Sequence, residues 1–214
     1  MQYKYLITQR MRKDVLDIGD KLATYMHDNN IENIMLMDRS ARPTYLTLKN
    51  SWNKLYPRMK CPNIYFTNPQ SYDLDDKPIE YLAKEFNKTY FRLAENKNAS
   101  IMLFDVCMHR GNAIGPIIKT IKKAGYSNLI IGLTQPVSPS ADGTMTSMSA
   151  DFIAINHSLS SGCYPFRRDD LTRKHYSNYV NLLSKPEPHS ERGVDIRREM
   201  NAVFKGNIES NYYD

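Results

Sequence analysis

The chain has 214 residues, 41% of them hydrophobic and 24% charged, with a formal net charge of +6, which is enough to bury a full core in one domain, or at most two. No run of about 18 apolar residues occurs, excluding a membrane-spanning helix, and the opening MQYKYLITQRMRKD lacks the apolar core of a signal peptide. Cys61, Cys107 and Cys163 are odd in number and show no CxxC spacing, so neither a disulfide framework nor a structural zinc site is expected, and the expected setting is a reducing cytoplasm.

Thr8 to Asn29 reads as an amphipathic helix, with Met11, Val15, Ile18, Leu22 and Met26 along one face. Ile34 to Met37 is an apolar strand that ends on Asp38 and runs into the loop Asp38-Arg39-Ser40-Ala41-Arg42-Pro43. Pro43 suits the first position of the following helix, where a missing N–H costs nothing, and Tyr45, Leu48 and Trp52 follow at the spacing of a sheet-covering face. The loop places two guanidiniums and a hydroxyl beside a helix start, where they can fork around a phosphate or pyrophosphate. The plainer reading pairs Arg39 with Asp38 and leaves Arg42 in solvent. Asn63 to Thr67 is a short strand closed by Asn68-Pro69, and Pro78 to Arg92 reads as one helix started by Asp75-Asp76.

The segment Ser100 to Gly125, SIMLFDVCMHRGNAIGPIIKTIKKAG, repeats this grammar. An apolar strand, Ile101 to Phe104, ends on Asp105; a polar loop with one glycine follows; then Ile114, Ile117, Ile118 and Ile121 fall at helical spacing. Backbone N–H groups and the positive end of a helix converge just past the strand, which is how α/β proteins hold an anion. A βα unit with no ligand would read similarly, but two such loops in one sheet favour a shared anion site. Cys107 in this loop reads as a reactive thiol or a small semi-buried filler.

Asn128 to Leu133 and Asp151 to Ile155 are apolar strands, and between them Thr134 to Ser149 is a long polar loop, read either as a lid on the ligand side or as a surface excursion. Ser158 to Asp170 is turn-rich, and Leu171 to Leu183 reads as a helix. From Ser184 the chain turns polar, with Pro186 and Pro188 as a break and Val194 to Phe204 as a short helix. The expected division is therefore an α/β domain over 1–183 and a tail over 184–214, serving as a partner-binding or an oligomerisation arm.

The two loops, in this order and at this separation, resemble the type I phosphoribosyltransferase fold over roughly residues 10 to 156. The form Asp-Arg-Ser-Ala-Arg-Pro is similar to a divergent bacterial branch whose first loop reads Asp-Arg-Ser-Gly-Arg-Pro. The resemblance implies a mainly parallel sheet flanked by helices, with Rossmann-like topology. It also implies a pyrophosphate site at Asp38, Arg39, Ser40, Ala41 and Arg42. Family members end a later strand on two acidic residues, here Asp105 and Val106, and hold the 5′-phosphate of phosphoribosyl pyrophosphate (PRPP) on a loop that maps to His109, Arg110, Gly111, Asn112 and Ala113. Asp105 would carry the catalytic role, taking a ribose hydroxyl or Mg²⁺-bound water. Mg²⁺ would enter with substrate, with no metal site made by protein side chains alone. With Val106 in the second acidic position, ribose binding loses a charge-assisted hydrogen bond worth about 1.5–3 kcal/mol, while Arg110 brings a full charge where the family uses a hydroxyl. Tyr164-Pro165-Phe166 is a base platform or an aromatic anchor for the tail.

The implied activity is Mg²⁺-assisted transfer of a phosphorylated sugar from a PRPP-like donor to a nitrogenous base or other acceptor. The second reading is a non-catalytic nucleotide or phosphosugar sensor on the same fold. A homodimer is compatible with either reading. The basic clusters, among them Lys119/Lys122/Lys123 and Arg192/Arg197/Arg198, lie between acidic residues and match no nucleic-acid-binding signature, so nucleic acid is a secondary expectation for partners. No G-x-S-x-G elbow and no Walker A loop is present, which argues against acyl transfer and classical nucleotide hydrolysis.

Overall fold

β1 (Asn33–Met37) is buried along its whole length, so both faces of its sheet must be covered. The computed structural model describes residues 3–37, 41–68, 77–106, 114–135, 150–155 and 191–206. β1 joins β2 (Asn63–Thr67), β3 (Ile101–Asp105), β4 (Leu129–Leu133) and β5 (Phe152–Ile153) in one sheet ordered β2-β1-β3-β4-β5, with every neighbouring pair parallel. Leu36 stands between Phe66 and Phe104, and Asp105 lies beside Leu133.

Alternation along the strands builds two apolar layers. Ile34, Leu36, Met102 and Phe104 pack against Leu22, Ala23 and Met26 of α1 (Gln9–Asp28) and Leu48 and Trp52 of α2 (Arg42–Leu55). Met35, Met37, Ile101 and Leu103 face the other way, onto Ala83 and Phe86 of α3 (Ile79–Thr89) and Ile114, Ile117 and Ile121 of α5 (Ile114–Lys123). The expected parallel sheet between helical layers is thus the architecture of the chain.

Local chemistry sets the element ends. The Thr8 hydroxyl accepts from the Met11 amide at 3.2 Å to start α1. Asn30 takes a φ of 51°, letting the Ile31 amide reach back to the Met26 carbonyl at 2.8 Å and close the helix. Gly19 lets α1 and α2 approach: a Cβ there would collide with Ser51 Oγ and stand 2.8 Å from the Thr47 carbonyl oxygen.

Two expected elements are corrected. The helix expected over Pro78 to Arg92 breaks at Tyr90, where the backbone leaves the helical region (φ −111°, ψ 49°), and the four-residue α4 (Phe91–Ala94) follows. The Tyr90 ring enters the core and its hydroxyl donates to the Phe66 carbonyl at 3.1 Å, which favours the break over a continuous helix. Of the strand expected over Asp151 to Ile155, only Phe152–Ile153 is regular, although the Ala154 and Ile155 amides still bond to Leu133 and Thr134 of the neighbouring strand end. The helix start at Asp75-Asp76 and the helix over Leu171 to Leu183 lie outside the described residues.

Within the segment set apart as a tail, α6 (Glu191–Phe204) packs on the α1–α2 layer. Its Ile196, Met200 and Val203 share a cluster with Leu6, Val15, Ile18, Leu46, Val106 and Ile155. Glu199, 2% exposed, accepts hydrogen bonds from the amides of Lys4, Tyr5 and Leu6 at 2.6, 2.9 and 2.8 Å, tying the N-terminal segment to α6.

Candidate functional site

Sheet order positions the site. β1 and β3 are parallel neighbours, yet the chain leaves β1 toward β2 on one side and leaves β3 toward β4 on the other. This is a topological switch point, with the two crossover helices on opposite faces of the sheet, the arrangement at which open α/β sheets commonly bind ligands. α2 begins there on one face and α5 on the other. The two strands that lead into the candidate anion loops are therefore adjacent and end at the same edge.

Of the expected site residues, Asp38, Arg39 and Ser40 lie outside the described residues, as do His109, Arg110, Gly111, Asn112 and Ala113. Ala41 is fully buried, its amide donating to the Met37 carbonyl at 3.0 Å, which turns the chain off β1 and into α2. Arg42 is the first residue of α2 and Pro43 the next, one position later than the sequence suggests but still in the turn where no amide partner is needed. Cys107, Cys163, residues 136–149 and Tyr164-Pro165-Phe166 also lie outside the described residues.

At the end of β3 the two acidic positions of the resembled family diverge. Asp105 is half-buried, and its Oδ1 accepts from the Val106 amide at 2.7 Å. Val106 is 2% exposed and sits in the cluster with Val15, Ile18, Ile155 and Met200. A carboxylate there would be buried among apolar side chains at a cost of several kcal/mol (about 3 or more). The end of β3 thus offers a single carboxylate.

Thr134 and Gln135, read from the sequence only as the start of a loop, belong to this edge. Their amides donate to the carbonyls of Asp105 and Val106 at 3.0 and 3.1 Å, extending the β3–β4 ladder past both strands. Both are buried, and the Thr134 hydroxyl has no hydrogen-bond partner among the described residues. The signal that could have found them is a polar pair closing an apolar strand, as at Asp105. Asp14 is also buried, on the stretch of α1 whose Met11, Val15 and Ile18 pack in the Val106 cluster; it falls outside the apolar stripe read from the sequence.

Among the described residues no group of three or more His, Cys, Asp or Glu side chains could hold a metal ion, and no helix is long and apolar enough to cross a membrane. Two helix N-termini and one carboxylate, Asp105, are thus gathered at this edge.

These features define a doubly wound parallel α/β fold with a topological switch point between β1 and β3. No protein-family model matches the chain, and no curated protein matches its sequence. Among solved structures, the chain is similar to a hypoxanthine phosphoribosyltransferase from Staphylococcus aureus, at 10% identity and a TM-score of 0.43, covering 69% of this chain and 77% of that one. It is also similar to the hypoxanthine phosphoribosyltransferase from Trypanosoma cruzi in complex with the product IMP, at 8% identity, a TM-score of 0.41 and coverages of 70% and 76%. A third similar structure is the HGPRT-ase of Leishmania tarentolae in complex with GMP, at 11% identity, a TM-score of 0.43 and coverages of 72% and 81%.

Proposed function

We propose that the chain binds a phosphorylated, pyrophosphate-bearing sugar of the PRPP type at the β1/β3 switch point and transfers the phosphosugar to a nitrogenous base. The observation that carries this reading is the adjacency of β1 and β3, the two strands that lead into the loops singled out in the sequence and that end at one edge. Asp38 to Arg42 would take the pyrophosphate, and His109 to Ala113 the 5′-phosphate at the start of α5. Departure of pyrophosphate leaves positive charge on the sugar ring, and Asp105, at the end of β3, would be the carboxylate that stabilises it. Catalysis of this kind rests on positioning and charge, with no protein nucleophile. Mg²⁺ is commonly held by one or two carboxylates plus substrate phosphates, so a single Asp105 fits an ion that arrives with its ligand; when bound, the ion would neutralise the leaving pyrophosphate.

One observation favours the second reading, a phosphosugar or nucleotide sensor without turnover: the Val106 position is committed to the core, so one of the two carboxylates is gone. Turnover separates the two. Release of pyrophosphate from PRPP with Mg²⁺ and a panel of purine and pyrimidine bases is expected, and Asp105→Asn should abolish it while leaving PRPP binding measurable. Arg110→Ala should weaken PRPP binding by about 1.5–3 kcal/mol, the range for a charge-assisted contact. Saturable binding with no pyrophosphate release in any combination would establish the sensor, and absence of binding would refute both readings.

A further inference from the structure

The helical layer across the sheet from α1 and α2 has a strongly basic outer surface. α3 and α5 both turn their apolar residues to the strands, Ala83 and Phe86 from one and Ile114, Ile117 and Ile121 from the other. Their outer sides therefore form one solvent-facing surface, joined by the ion pair of Lys123 with Glu80 at 3.0 Å. Tyr81, Lys84 and Lys88 stand at i, i+3 and i+7 on α3, and Lys119, Lys122 and Lys123 at i, i+3 and i+4 on α5, all of them exposed. Just before α3, Lys77 lays its ammonium over the Tyr81 ring, 4.7 Å from the centroid.

Charge and side-chain type select the partner. The two helices carry five lysines against two acids, Glu80 and Glu85. Glu80 is taken by Lys123, and Glu85 by Lys88 at 3.9 Å, while Lys84, Lys119 and Lys122 have no ion-pair partner among the described residues. Like charges three or four residues apart repel along a helix, and a polyanion laid across them relieves that repulsion. A membrane-binding helix adds apolar side chains that enter the lipid. Here the apolar sides of both helices face the sheet, and Tyr81, 39% exposed, is the one exposed large apolar side chain of this surface among the described residues. An acidic protein segment would use the charges and leave the ring idle. A single strand of nucleic acid uses both, with ammonium groups on its phosphates and a base on the ring.

We propose that the outer surface of α3 and α5 binds single-stranded nucleic acid, with Lys84, Lys88, Lys119 and Lys122 on the phosphates and a base stacked on Tyr81. The proposal does not rest on the reading of the switch point. Titrating the full chain into a fluorescein-labelled oligouridylate of about 20 nucleotides should give a saturable rise in anisotropy. The logarithm of the binding constant should fall with that of salt concentration at a slope of about −2 to −3.5, the value for roughly three to five phosphates neutralised on a single strand. Lys84→Glu/Lys119→Glu/Lys122→Glu should weaken binding at least about tenfold. The same charge change on α1, on α2 and just after α6, as Lys21→Glu/Lys49→Glu/Lys205→Glu, should weaken it less than about threefold. All six lysines are exposed, so both variants should fold, which unchanged far-ultraviolet circular dichroism would verify. Tyr81→Ala should weaken binding at least about fivefold, the low end for one stacked base, and Tyr81→Phe should bind like the parent. The proposal is overturned if the oligouridylate gives no saturable change, if the two triple variants lose binding equally, or if Tyr81→Ala binds like the parent. It is equally overturned if an oligoglutamate of matching charge, or vesicles containing phosphatidylserine, displace the probe as well as unlabelled oligouridylate does.

Discussion

Replacing Glu199 with glutamine tests how the ends of the chain are held. The Glu199 carboxylate is 2% exposed and accepts three amide hydrogen bonds, from Lys4, Tyr5 and Leu6 at 2.6–2.9 Å. A hydrogen bond to a charged acceptor contributes about 1.5–3 kcal/mol, but these three share one carboxylate and do not add independently. Glutamine keeps one carbonyl acceptor and turns an NH₂ toward either the Lys4 amide or those of Tyr5 and Leu6, so at least one amide loses its partner. The relief of desolvating a charge offsets part of that loss. The expected cost is about 2–4 kcal/mol, or a fall in melting temperature of roughly 5–15 °C for a chain of this size. Urea denaturation followed by circular dichroism gives the first number. Native-state hydrogen exchange gives the localisation: the amides of residues 4–6 should lose protection while those of β1 and β3 keep it. A variant within about 0.5 kcal/mol of the parent, with residues 4–6 still protected, would refute the reasoning.

Three further outcomes are expected. Gly19→Ala should destabilise by about 1–3 kcal/mol in urea denaturation, because its methyl group would meet Ser51 Oγ and the Thr47 backbone, which cannot give way without separating α1 from α2. Val106→Asp should cost about 3 kcal/mol or more and yield no gain in pyrophosphate release, since it places a charge in the α1–α6 cluster. Burial, with the nearby Tyr65 adding to it, pushes Tyr126 up to about 12, so the folded state holds the phenol proton after the unfolded chain, near 10, has lost it. Stability should therefore be full below pH 10 and fall between pH 10 and 12, and Tyr126→Phe should flatten that fall in denaturation curves taken across the range.

The central strands were legible because burial on both faces leaves an unbroken apolar run: β1 and β3 differ by one residue at an end from the spans the sequence suggests, while the less buried β2 occupies its expected span, closed by the turn signal Asn68-Pro69. The break at Tyr90 was not, because it depends on the Tyr65 ring and the Phe66 carbonyl, both on β2 and remote in sequence. The docking of α6 was hidden for the same reason. Its polar composition suggests a partner-binding or oligomerisation arm, while its anchor, Glu199, bonds amides 193 to 195 residues away. At the candidate site, the sequence identified both strand-loop-helix units but not that Thr134 and Gln135 extend the same edge.

At the end of β3, two consecutive positions meet different demands. Consecutive residues of a strand face opposite sides, so Asp105 and Val106 answer to different neighbours. Val106 answers to Val15, Ile155 and α6; once α6 packs there, a valine at this position stabilises the core, and a carboxylate would be excluded by desolvation. Asp105 answers to the crevice edge and to the Val106 amide, which its side chain accepts at 2.7 Å. The apolar residue at position 106 and the docking of the C-terminal helix are therefore physically linked, and a carboxylate introduced at 106 alone would not make a two-carboxylate site. The single carboxylate must be judged with α6 in place, which is why the full chain, and not a version truncated before residue 191, is the protein on which pyrophosphate release should be measured.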